Sequence, residues 1–444
     1  MSDFIRLNAP PSKSVSHRAL LASGLAQGRS RLKNVLASED LLRTKDCLQA
    51  LGSQIWGEDS RLEVQGIAGN IMSPTGEPVQ LDVGESGTTC RLIAAIVSAG
   101  RGSFQISGRG RMHQRPIQSL GQSLESQGVV FNYLEQPGCP PVRIETGGLA
   151  GGNISVSLQE SSQYLSGLLL AGTMARAPLV ISVCGDKVVS WPYVHLTLKV
   201  MDSFGNAPML ELLQDGAWSQ VSPDEVDRVE PGRIRFRIEP GVFHPVDYQV
   251  EGDFSNASYL LAAGAAGKIP VLVGGLDKDS RQGDRRILDI LQGMGAEVSG
   301  DEQGIAVVGK ELLGVDLDMG SCPDLVPTVA VLAALARGRT RISNVGHLRI
   351  KESDRLAGVK QELERTGCNC ILQEDGLVIE PGEVPTGERI EFCTYGDHRM
   401  AMSLSLLELA GIRVVLDHPE CVNKSFPGFW DQWAEVRRAN KISG

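Results

Sequence analysis

Eight cations in this chain recur at two kinds of place. Lys13 and Arg18 stand in "PSKSVSHR", Arg91 in "GESGTTCR" and Arg399 in "TYGDHRMA", each where an Ala/Leu-rich helical pattern begins. Arg115 in "GRGRMHQRPI", Lys351 and Arg355 in "RIKESDRL" and Lys424 in "VNKSFPGF" lie in loops after the following strand pattern. A helix N-terminus already carries positive potential and unpaired N–H groups, so a cation placed there gains nothing from the macrodipole. A bound anion would reverse that balance. Taken singly, each residue reads as a surface charge; eight of them tied to Ser/Gly-rich helix starts favour an anion site. Arg suits bidentate carboxylate and phosphate contacts, and Lys acts as a point charge. The chain has no GxxxxGK[ST] loop, which argues against nucleotide triphosphate chemistry.

Two carboxylates could supply acid–base work. Asp324 lies in "CPDLVPT" and Glu352 in "KESDR". Their ordinary readings are an N-cap and a surface ion pair. A carboxylate held among cations stays ionised, which suits a base, while burial would bring its pKa toward a useful value.

The elements that must position these residues repeat. "HRALLASGLAQGRSRLKNV", "TCRLIAAIVSAGRGSFQISG", "SQYLSGLLLAGTMARAPLVISV", "SYLLAAGAAGKIPVLVGGL", "VPTVAVLAALARGRTRISNV" and "HRMAMSLSLLELAGIRVVLD" each give a small-residue helix, a Gly or basic break, and a strand. A second helical pattern follows, ending at Gly52, Gly128, Gly205, Gly295 or Gly367 in five of the copies, the usual sign of a helix stop. Short alternating segments come next. The unit recurs at roughly 70 to 90 residues, longer than a solenoid period, so six copies build domains. Three copies per domain are expected, with domains at 1–12 plus 249–444 and at 13–248. "GGLAGGN", from Gly147 to Asn153, reads as a flexible turn.

Composition narrows the class. The 444 residues exceed one ordinary core, and a formal charge of −10 argues against nucleic-acid or membrane-surface binding. Nine scattered Cys without a CxxC pair, and seven His without ligand spacing, point to reduced thiols and to no metal. "MSDFIRLNAPP" shows no secretory or transit pattern, and no apolar run is long enough to span a membrane. A soluble, cytoplasmic protein is expected.

At the residues above, the chain resembles the 5-enolpyruvylshikimate-3-phosphate synthases, a family of enolpyruvyl transferases. "PSKSVSHRAL", "GESGTTCR", "QRPI", "SSQYLSG", "GDKVVSWPY", "EGDFSNASY", "PDLVPT", "RIKESDRL", "GDHRMAM" and "NKSFPGFW" come in family order over nearly the whole chain. The resemblance implies an α/β fold of two similar domains, each three βαβαββ repeats forming an inside-out α/β barrel, with the active site in the interdomain cleft. It implies transfer of the enolpyruvyl group of phosphoenolpyruvate to the 5-hydroxyl of shikimate 3-phosphate, with release of phosphate and no cofactor. Shikimate 3-phosphate would meet Lys13, Ser14, Arg18, Ser161, Ser162, Gln163, Ser190, Tyr193, Asp324 and Lys351. Phosphoenolpyruvate would meet Lys13, Gly87, Arg91, Arg115, Gln163, Arg355, Arg399 and Lys424. Asp324 would be the base, and Glu352 with Lys13 would protonate the methylene carbon. A monomer is expected.

Two positions depart from the family pattern. Glu85 stands where many members carry Asn, which places a carboxylate near an anion site, and His347 also replaces an Asn. The nearest alternative, a UDP-N-acetylglucosamine enolpyruvyl transferase, typically has a Cys in the loop that here reads "GRGRMHQRPI", and this loop has none. A non-catalytic anion-binding relative is disfavoured by the intact charged residues. An RNA-end-processing protein of related architecture is disfavoured by the acidic balance.

Overall fold

Five of the six predicted copies become a strand–helix–strand–helix followed by antiparallel strands. The computed structural model describes residues 4–58, 60–73, 77–226 and 229–442. Contacts divide the chain into two units, Lys13–Val250 on one side and Met1–Ser12 with Glu251–Gly444 on the other.

In the Lys13–Val250 unit, Arg29–Lys33 pairs parallel with Asp247–Gln249 and antiparallel with Arg61–Gln65, which in turn takes Gln54–Trp56. Gly102–Ser107 repeats the arrangement with Val79–Asp82, Val142–Thr146 and Val130–Tyr133. Leu179–Cys184 does so with Gly152–Ser157 and Ile234–Ile238, and Met209–Gln214 and Ala217–Val221 extend that sheet.

The other unit follows the same plan. Val271–Gly274 lies between Ile5–Asn8 and Gly304–Val308, and Thr340–Ser343 between Asp316–Asp318 and Gly376–Glu380. The sixth copy is shorter. Its strands Arg389–Phe392 and Arg413–Leu416 pair parallel, but no hairpin follows; the chain passes into a 3-10 turn, Pro419–Lys424, and the helix Phe429–Asn440. Prolines at 419 and 427 and a helical apolar pattern replace alternating residues there.

Two leading strands are exchanged. Ile5–Asn8 precedes the helix Lys13–Leu25 yet pairs in the Glu251–Gly444 unit, and Asp247–Gln249 precedes Phe254–Ala266 yet pairs in the Lys13–Val250 unit.

The first helix of each copy is apolar nearly all round and buried, so it forms the inside of its unit, with the sheets outside. Small residues let these helices approach closely. A Cβ on Gly167 would lie 2.7 Å from the Cβ of Ala95 on the neighbouring helix. The five glycines expected to stop the second helices all adopt positive φ, from 75° to 106°. The segment expected to be a flexible turn is tighter than that: a Cβ on Gly151 would lie 2.5 Å from the Ala177 carbonyl oxygen, and Gly152 already opens a strand. All nine cysteines are free thiols, and no described helix is long and apolar enough to cross a membrane.

Candidate active site

The helix starts are built as the Ser- and Asp-rich motifs require. Ser86 accepts from the Thr89 N–H, Asp253 from Asn256 and Asp397 from Arg399, so three inner helices begin with a side-chain cap worth about 1 kcal/mol each. Each unit then carries one cluster of the expected site residues.

In the Lys13–Val250 unit, Arg18 is the organiser. It is buried, and its Nε donates to Thr197 Oγ1 (2.7 Å), Nη1 to the Ser14 carbonyl (2.8 Å), and Nη2 to Ser166 Oγ (3.3 Å) and the Tyr193 carbonyl (3.0 Å). Burial pushes its pKa down to about 10, which leaves it cationic at neutral pH. Four of its five N–H groups are thus spent on the protein. Through these bonds Arg18, expected to meet shikimate 3-phosphate, holds the Ser14 and Tyr193 carbonyls. Ser190 sits at positive φ (56°) just before the helix Trp191–Ser203, an uncommon conformation for a residue with a side chain. Ser161 and Ser162 are buried at the start of Gln163–Gly172, where Ser161 Oγ accepts from the Gln163 N–H.

Lys13, at the first turn of Lys13–Leu25, is ion-paired with Asp40, a partner the sequence reading missed. Behind them His17 Nδ1 meets Thr44 Oγ1 (2.8 Å), and Thr44 meets Thr89 (2.7 Å), tying three helices together. Burial, with the nearby Lys13 charge, holds His17 neutral, with its pKa pushed down to about 3.

Around the start of Gly87–Ser98, four of the groups expected to meet phosphoenolpyruvate come together: Gly87, Arg91, Arg115 and Gln163. Arg91 Nη1 donates to Gln163 Oε1 (3.0 Å), whose Nε2 donates to Thr88 Oγ1 (2.9 Å). The Arg91 guanidinium also lies over the Tyr164 ring, 5.8 Å from its centroid. Arg115 Nη1 donates to the Glu85 carbonyl (3.3 Å), and its guanidinium rests on Gly87: a Cβ there would lie 2.4 Å from Nη2. The Glu85 side chain reaches across the same loop, with Oε1 2.6 Å from where a Gly110 Cβ would be.

In the other unit, Asp324 is gripped by two arginines. Arg355 Nη1 donates to Oδ1 (3.0 Å) and Arg399 Nη2 to Oδ2 (2.8 Å). Arg355 also donates through Nη2 to Glu352 (2.8 Å) and through Nε to Asp397 (2.8 Å), which Ser353 supports. So Asp324 is not an N-cap, and Glu352 is a mostly buried partner of a buried Arg. Burial alone would raise the Asp324 pKa; Arg399, Arg355 and Lys351 overcome it and hold the carboxyl well below the usual range. Arg399 Nη1 further donates to Tyr259 OH (3.4 Å). Lys351 follows the turn Gly346–Ile350, which contains the buried His347, and the buried Lys424 closes its turn against the helix His398–Leu404.

Sequence reasoning missed Asp397 as the second anchor of Arg355, although it lies inside "GDHRMAM". It also missed Asp284. That carboxyl is buried, accepts from the Ser255 hydroxyl, and is pushed up to about 7 by burial and by the neighbouring Asp324 charge. Nothing in "QGDRRIL" distinguishes it from a surface charge.

Solved structures share this architecture. An EPSP synthase from Acinetobacter baumannii superposes with a TM-score of 0.75 at 24% identity, covering 100% of this chain and 96% of that one. The enolpyruvyl transferase NikO from Streptomyces tendae gives 0.69 at 17%, covering 98% and 95%. The fold is therefore that of the enolpyruvyl transferases. Sequence narrows this further. The model of the family described as EPSP synthase (3-phosphoshikimate 1-carboxyvinyltransferase) matches residues 5–433. A 3-phosphoshikimate 1-carboxyvinyltransferase of Vibrio cholerae serotype O1 (strain M66-2) is 38% identical over 435 residues, 97% of this chain and 96% of that protein. One of Sulfurovum sp. (strain NBC37-1) is 36% identical over 427 residues, 96% and 95%. The chain belongs to the EPSP synthase family, and it is an enzyme that transfers the enolpyruvyl group of phosphoenolpyruvate to shikimate 3-phosphate.

Proposed function

We propose that the two clusters divide this reaction between them. The 5-hydroxyl of shikimate 3-phosphate adds to C2 of phosphoenolpyruvate while C3 gains a proton; the tetrahedral intermediate then loses phosphate and a proton from C3. Ser161, Ser162, Gln163, Ser190, Tyr193 and Ser14, the last two braced by Arg18, bind shikimate 3-phosphate, with Lys13 and Lys351. Gly87, Arg91, Arg115, Gln163, Arg355, Arg399 and Lys424 bind phosphoenolpyruvate, with Lys13 offsetting its charge. Asp324 takes the 5-hydroxyl proton, and Glu352, with Lys13, serves C3.

The observation that carries this reading is the double grip of Arg355 and Arg399 on Asp324. A carboxylate so held is a weak base. Phosphoenolpyruvate brings its own carboxylate and phosphate to the same guanidiniums, and the competition loosens Asp324 as the substrate arrives. Base strength is thereby coupled to occupancy. The protein is further read as a cytoplasmic monomer, consistent with its nine free thiols.

The test is phosphate release from the two substrates by wild type and Asp324→Asn. Turnover is expected to fall by roughly two to four decades, the usual reach of general acid–base catalysis. Binding of shikimate 3-phosphate should persist. A variant that retains wild-type turnover overturns the role of Asp324.

A further inference from the structure

The shortened sixth copy leaves an open edge. Arg413–Leu416 pairs on one side only, whereas the corresponding strand of every other sheet also has an antiparallel neighbour. The Arg413 N–H donates to the Glu388 carbonyl and the Asp417 N–H to that of Phe392. Strand alternation then turns the N–H and C=O of Val414 and Leu416 to the opposite side. Among the described residues neither of these N–H groups makes a hydrogen bond.

A groove of about 720 Å³ runs along this edge. Ile412 and Val414 lie in it, and the exposed side chains of Lys268, Arg389, Arg413 and Lys441 line it. Arg437 is neutralised by a two-pronged pair with Glu408, and Arg389 meets the exposed Glu391 at 3.0 Å. Lys268 and Lys441 have no carboxylate partner among the described residues. In a chain of net charge −10 this is a local excess of positive charge.

One charge suffices to blunt a short edge strand against accidental pairing. Here the cations come from four separate segments and face a cavity, which is a recognition surface by shape as well as by charge. We propose that this edge docks an extended, acidic segment of another polypeptide, which adds as a strand beside Arg413–Leu416. Its backbone bonds Val414 and Leu416, and its alternate carboxylates meet Lys268, Arg389, Arg413 and Lys441. A second copy of this chain fits poorly, because it would bring the same four cations together.

Fluorescence anisotropy with a labelled octapeptide of alternating threonine and glutamate tests this. The peptide should bind saturably at low salt and weaken as salt rises. Val414→Pro removes only an outward N–H and leaves the ladder to Arg389–Phe392 intact; it should weaken binding about tenfold, the scale of one or two lost hydrogen bonds. The double variant Arg389→Glu/Arg413→Glu should abolish binding. Both variants should keep wild-type phosphate release, which shows that they fold. A threonine–lysine peptide should not bind. Four results overturn the proposal: no binding; equal binding of a proline-interrupted peptide of the same charge, which marks a simple anion site; binding indifferent to both variants; or a dimer in sedimentation that the edge variants dissolve.

Discussion

A carboxylate between two arginines and a buried carboxyl close by respond to pH in opposite directions. Asp324 has its folded pKa depressed, so its ion pairs stabilise the protein above its unfolded value, about 4, and are lost as pH falls below that. Asp284 has its folded pKa raised to about 7, so the native state holds a proton that the unfolded chain releases near pH 4. Stability contributed by Asp284 is therefore fully present below that value and is lost as pH rises to 7. Melting curves from pH 5 to pH 8 should show the melting temperature falling with pH, and Asp284→Asn should flatten the fall. An unchanged slope in the variant would place the titration elsewhere. Glu352 and Lys13 can be separated by deuterium exchange into the methylene group of phosphoenolpyruvate, followed by proton NMR with both substrates present. Glu352→Gln should suppress exchange per turnover; exchange that survives there but vanishes in Lys13→Met would move the protonation role to the lysine. Asp324 and Glu352 were legible because each sits in a distinctive motif. Asp284 and Asp40 were not, because an isolated Asp on a helical turn looks the same in sequence whether it faces water, a buried hydroxyl or a lysine of another helix.

At the level of the element, the Gly87–Ser98 helix start and the Gly108–Arg115 loop act as one device, since Arg115 lies on Gly87 and Glu85 on Gly110. Gly87→Ala should push the Arg115 guanidinium aside and raise the KM for phosphoenolpyruvate by about one to two decades, the cost of misplacing a binding group by an ångström. Shikimate 3-phosphate affinity should stay within twofold. Glu85→Asn should change the KM for phosphoenolpyruvate little, because the carboxylate is directed at the loop backbone; a large drop in KM would show that Glu85 repels the substrate. The repeat itself was readable from the sequence, since the five helix-stopping glycines at Gly52, Gly128, Gly205, Gly295 and Gly367 need the positive φ that they adopt. The missing hairpin of the sixth copy was not, because a helical pattern such as that of Phe429–Asn440 reads alike whether or not strands follow it.

For the whole molecule, the residues proposed for each substrate are split between the units: Gly87, Arg91 and Arg115 belong to one, Arg355, Arg399 and Lys424 to the other. On the proposed assignment shikimate 3-phosphate uses residues of both units, and it should then strengthen phosphoenolpyruvate binding by about tenfold or more, a typical coupling between two sites. Calorimetric titration with and without the first substrate measures this directly, and equal affinities would sink it. The exchanged leading strands carry a different consequence, one of timing during synthesis. The Lys13–Val250 unit is contiguous and has all its strands once Gln249 has emerged from the ribosome. Ile5–Asn8 emerges before that unit but pairs with Val271–Gly274, which emerges after it. At roughly 5–20 residues per second, that strand waits tens of seconds with its hydrogen bonds unmade while an entire unit is completed behind it. Its alternation of Ile5 and Leu7 with Arg6 and Asn8 keeps half of it polar through that delay, so a strand made before the Lys13–Val250 unit can be placed after it.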